Sequence, residues 1–167
     1  MTGPRVLIGV VVVAGLIGAS SLRAQKAGAA GTLSAQDVSD ITQLYSSSYQ
    51  GADLRDADLW LSAYADDAVF TLPTGAKVVG RKALAEWRQK SFAGKVGDSK
   101  LRHWFGLIRV FPAPDGGAAA KAYYTVIDVS TKQPTIRSSG MVDDVFVKTP
   151  AGWRFKTHTV TADAPAE

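Results

Sequence analysis

The amino-acid sequence predicts an α+β domain in which helices come first and a meander of strands follows, the sheet curling around the helices. Three observations carry this. Between Ser34 and Ser91 three segments place apolar residues at helical spacing. From Leu101 onward the period changes to two, over four long runs. Those runs are joined by short connections rich in Pro and Gly, of hairpin length.

The first helix is announced by a capping box, Ser34-x-x-Asp37, after which Val38, Ile41, Tyr45, Ser48 and Tyr49 fall on one face. Gly51 is its expected end. Asp56 caps a second helix with Leu59, Trp60, Ala63 and Tyr64 on one face, which Asp66 and Asp67 are expected to stop before a strand over 68–72. Pro73 and Gly75 turn that strand into a short partner, and Gly80 opens a third helix lined by Ala83, Leu84, Trp87 and Ser91. Arg81, Lys82, Arg88 and Lys90 crowd this helix and read as a solvated face. A polar loop over 94–99 leads to strands expected at 101–111, 118–130, 135–148 and 153–162.

A length of 167 residues with 46% apolar content fits one domain with a core of ordinary size. The first residues stand apart: Arg5 precedes an apolar run over 6–19, broken only by glycines and followed by small residues. That is a secretory signal pattern, and the run is shorter than the roughly 20 residues that span a bilayer. The expectation is a leader over 1–29, cleaved after Ala24 or Ala29, and a mature domain over 30–167 that is secreted or periplasmic and makes no stable membrane contact. With no cysteine, the chain has neither a lipid attachment site nor a disulfide. The net charge of +4 includes Arg5, Arg23 and Lys26 of the leader, so the mature domain is near neutral at +1. Nucleic acid is therefore not an expected partner.

The stretch DADLWLSAYADDAVFTLPTGAKVVGRKALAEW, with a helix ending in two aspartates, a strand, a Pro/Gly turn and "GRKALAEW", resembles the SnoaL-like branch of the NTF2-like superfamily. The end of the chain, GMVDDVFVKTPAGWRFKTHTV, is similar to that family too, through Gly140, Asp144, Gly152, Trp153, Arg154 and Phe155. The similarity runs over 34–161. It implies a cone: a curved antiparallel sheet of about six strands capped by three N-terminal helices, enclosing an apolar pocket for a small hydrophobic molecule. It also implies acid-base groups inside that cone in the catalytic members, and a possible homodimer through the outer sheet face.

His103 stands near the start of the first long strand, where the resemblance places a pocket histidine. Period two sets it on one face with Leu101, Phe105 and Leu107, and an imidazole there suits a general base near neutral pH. Asp53, Asp67 and Asp128 are the carboxylates that could serve with it. The family's aspartate directly after the first helix is replaced here by Tyr49-Gln50-Gly51, so Asp53 would have to bend back into the pocket. Asp128 and Asp144 lie within strands, where facing solvent is the commoner placement. Tyr49, Trp60, Tyr64, Trp104, Phe105 and Tyr124 are the expected ligand-binding walls. His158 shares parity with Arg154 and Lys156 and reads as solvent-facing. No metal-ligand spacing, phosphate-cradling glycine loop or nucleophile motif is present, so no cofactor is expected. Two functions fit: an exported domain that binds a small hydrophobic molecule, or an acid-base lyase or isomerase using His103 and a pocket carboxylate.

Overall fold

The computed structural model describes residues 31–95 and 97–164. The leader expected over 1–29 lies outside the described residues. Helix α1, Ala35–Leu54, starts at the capping box: Asp37 N donates to Ser34 Oγ at 3.1 Å and Ser34 N to Asp37 Oδ2 at 3.0 Å. The helix does not stop at Gly51. That glycine answers a packing demand instead, because a Cβ on it would lie 2.4 Å from the Trp60 backbone nitrogen where α2 crosses. Termination falls to Arg55, whose left-handed backbone (φ 57°) lets its N–H close on Ala52 and Gly51 carbonyls.

Helix α2, Ala57–Ser62, is capped by Asp56, whose Oδ1 accepts Leu59 N at 2.9 Å. It ends before Asp66 and Asp67, contrary to the sequence expectation. Those aspartates belong to strand β1, Tyr64–Thr71, which begins early because Phe155 N donates to Ala63 O at 2.8 Å and Tyr64 pairs with Phe155. Sheet pairing overrides a helical pattern this short. Strand β2, Lys77–Val79, and helix α3, Arg81–Phe92, follow.

The long strands are β3 (Leu101–Pro112), β4 (Ala118–Asp128), β5 (Thr135–Thr149) and β6 (Gly152–Ala162). They complete a six-stranded, curved, unclosed sheet in the order β2-β1-β6-β5-β4-β3. The β1–β6 neighbours run parallel and the other pairs antiparallel. Ile41, Trp60, Leu84, Phe146 and Phe155 are fully buried between helices and sheet. Burying each such side chain is worth about 1.5–3 kcal/mol. No described helix is long and apolar enough to cross a membrane.

Two bulges decide what faces inward. On β6, Phe155 pairs with Phe146 but the next partner, Val145, meets Thr157, so Lys156 is an inserted residue. Trp153 and Phe155 point inward before it; His158 is fully buried after it. His158 is therefore inside the cone, correcting the solvent-facing expectation. On β3 an extra residue between Gly106 and Arg109 expels Leu107, which is 82% exposed with φ 51°. Leu107 thus does not share the face of His103 and Phe105.

Candidate functional site

One stripe of α1 supplies three polar side chains at four-residue spacing, Tyr45, Tyr49 and Asp53, which share a helix face. Each meets a polar group from the sheet. Tyr45 Oη donates to Asp144 Oδ2 at 2.5 Å, Tyr49 Oη bonds His158 Nε2 at 2.5 Å, and Asp53 Oδ1 receives His103 Nδ1 at 2.6 Å. Asp53 reaches the sheet because α1 continues past Gly51, which removes the need for a bent loop. Its second oxygen, Oδ2, accepts the His103 backbone N at 2.9 Å, so one buried carboxylate holds both ends of the residue. The bond at Nδ1 assigns a proton to that nitrogen, so that in the neutral tautomer it selects Nε2 is the basic atom.

The deeper pair is Asp144–His158, Oδ1 to Nδ1 at 2.6 Å, with both side chains wholly buried. Burial pushes the Tyr49 phenol well above the usual tyrosine range, and the charges of Tyr64 and Asp144 add to that. Burial likewise raises Tyr45, followed by the charge of Asp144. Both phenols therefore keep their protons and donate. The resulting chain runs Tyr49 Oη–H to His158 Nε2, His158 Nδ1–H to Asp144 Oδ1, and Tyr45 Oη–H to Asp144 Oδ2. It satisfies every member, as a buried polar network must. It also fixes the Tyr49 ring, stacked on Phe105 at 4.0 Å and 5.2 Å from the His103 ring.

A cavity of about 230 Å³ opens beside His103, with Phe70, Trp87, Phe105, Val126 and Val160 among its walls. Tyr49, Tyr124, Ser138 and Arg88 bring it a few polar atoms. A second recess of about 220 Å³ between α1 and β3 shares Tyr49, His103 and Phe105.

Of the residues expected at the site, His103, Asp53, Tyr49, Phe105 and Tyr124 come together around this cavity. Asp67 does not: it lies on the exposed side of β1, where a hydrogen bond from Lys156 holds its carboxyl below the usual range. Asp128 ends β4, away from the cavity lining, and is lowered in the same way by hydrogen bonds from the Ser130 side chain and from Ser130 N at 2.8 Å. Trp60 and Tyr64 are sealed in the core rather than in the cavity wall. Trp104, 67% exposed, is on the outer face because it alternates with His103 and Phe105.

Three further participants are Asp144, for which the sequence favours a solvent-facing placement over a place in the cone, His158 and Arg88. Asp144 carried a signal, since Val142 and Phe146 share its parity and are apolar. His158 carried none, because the bulge at Lys156 is invisible to a period-two rule. Arg88 was grouped with exposed neighbours although Leu84, four residues earlier, marks it as inward-facing.

The model of the SnoaL-like domain family matches residues 34–159. The chain belongs to the SnoaL-like family. Among solved structures, the domain is similar to Aln2 from a Streptomyces species, at 21% identity and a TM-score of 0.68, covering 80% of this chain and 95% of that one. ActVI-ORFA from Streptomyces coelicolor matches at 25% identity and a TM-score of 0.65, covering 75% and 97%. An NTF2-like protein with a cystatin-like fold from Novosphingobium aromaticivorans matches at 20% identity and a TM-score of 0.64, covering 78% and 84%. No curated protein matches the sequence. The SnoaL-like, NTF2-like fold expected from the sequence is thus the fold of this domain.

Proposed function

We propose that this chain binds a small hydrophobic molecule in the cavity beside His103 and moves a proton on it, as an acid-base lyase or isomerase. The observation that carries the reading is the Asp53–His103 pair at 2.6 Å on the wall of that cavity. Asp53 holds the imidazole with Nε2 unprotonated and stabilises the imidazolium that forms when Nε2 takes a proton from an activated carbon. In a lyase the electron pair left on that carbon expels a leaving group from its neighbour; in an isomerase it shifts along a conjugated system and His103 returns the proton elsewhere. Both outcomes are redox-neutral. Apolar walls exclude water and strengthen each polar contact.

The test is solvent deuterium incorporation at the α-carbon of a probe ketone, 2-tetralone, followed by NMR. The wild type is expected to accelerate exchange over buffer, and His103→Ala to lose the acceleration while still binding the probe. Binding of 2-tetralone with no accelerated exchange refutes the chemistry and leaves a binding domain.

Two further expectations belong to this reading. The apolar run over 6–19 supports export with loss of the leader; recovery of the protein with Met1 intact refutes it. The exposed Trp104, Tyr123 and Met141 on the outer face of β3–β5 support a second copy as partner; light scattering that gives a monomer at high micromolar concentration refutes that.

A further inference from the structure

Arg88 is set apart from the other cations of α3. One turn beyond the buried Leu84, it points inward, with its guanidinium carbon 4.1 Å from the Trp60 ring centroid and 4.5 Å from that of Trp87. It lines the cavity that His103 lines. Its Nε is buried without a hydrogen-bond partner, and none of the ion pairs among the described residues includes it. Aromatic faces compensate a buried cation only in part, and an inward guanidinium with free donors lacks its acceptor. Burial pushes Arg88 down to about 10, so it remains a full cation at neutral pH.

We propose that Arg88 is the anion anchor of this cavity and that its ligand is a small apolar acid, a body of about one or two rings carrying a single carboxylate. The planar guanidinium matches a carboxylate through two parallel hydrogen bonds. Among the described residues, Arg88 is the one arginine or lysine in the cavity lining, and a single guanidinium suits one negative charge and disfavours a dianion such as a phosphate monoester. The cavity, at about 230 Å³, is below the roughly 300–1,000 Å³ that hosts drug-sized ligands, which limits the body to a ring or two. The inference rests on the reading that this cavity takes a small hydrophobic molecule, and it adds what fixes that molecule's orientation: the carboxylate at Arg88, the apolar body toward His103.

Calorimetric titration of 2-naphthoate and of its neutral analogue 2-naphthamide at pH 7 tests it. The wild type is expected to bind the carboxylate at least about tenfold more tightly, the range of a hydrogen bond to a charged group. Arg88→Met is expected to lose at least about tenfold for naphthoate and to keep the amide within about threefold. Should that variant fail to fold, the two wild-type affinities decide alone. Equal wild-type affinities overturn the anchor and leave the cavity reading standing; no binding of either probe overturns both.

Discussion

Removing the Asp144 carboxylate should be among the costliest single changes in the domain. In Asp144→Ala, two buried donors, Tyr45 Oη–H and His158 Nδ1–H, lose their acceptor at once. Each orphaned buried donor costs about 1–3 kcal/mol, so the pair costs about 4 kcal/mol, less whatever is recovered by no longer burying a carboxylate. A domain of this size holds about 5–15 kcal/mol in total. At about 4 °C per kcal/mol, the midpoint of thermal unfolding should fall by about 15 °C. Asp144→Asn should cost less, about 1–2 kcal/mol, because its carbonyl still accepts one of the two donors. Urea unfolding followed by tryptophan fluorescence measures both. A loss under about 1 kcal/mol for Asp144→Ala, or equal losses for the two variants, would show that the carboxylate does not hold the two donors as described.

Asp53→Asn should leave probe binding intact and reduce deuterium exchange into 2-tetralone by about a hundredfold or more, since the amide no longer fixes the productive imidazole tautomer; unchanged exchange removes Asp53 from the reaction. Gly51→Ala should lower the unfolding free energy in urea titration by about 1–3 kcal/mol, because the added methyl meets the α2 backbone 2.4 Å away; a neutral result would mean that α2 shifts freely. Hydrogen bonds from Lys148, Ser34 and Trp153 hold the Asp37 carboxyl well below its usual range. A carboxylate depressed in the folded state stabilises above the unfolded value near 4, and that contribution fades as pH falls below it. Asp37→Asn should therefore be less stable than wild type at pH 7, by a gap that narrows toward pH 2 in thermal melts; a constant gap contradicts the assignment.

The sequence disclosed the α+β layering through Ser34-x-x-Asp37, the period-two runs after Leu101 and the turns at 112–117 and 149–152, which are local signals. It disclosed His103 by parity with Leu101 and Phe105. It could not disclose the length of α1, because Gly51 carries two meanings, a helix stop and a close approach, and only the presence of α2 at 2.4 Å selects the second. The same limit hid His158, whose orientation depends on one inserted residue, and misplaced Asp66 and Asp67, whose strand exists only because β6 lies alongside. Local rules fail here wherever a partner distant in sequence decides.

Lys156 has a consequence for how such domains diversify. Deleting that single residue would rephase everything after it, turning the inner imidazole and Val160 out to water and bringing threonines in. Substitution cannot accomplish that change, whereas one lost codon can. An alignment that slides a gap across this point would pair residues from opposite sides of the wall.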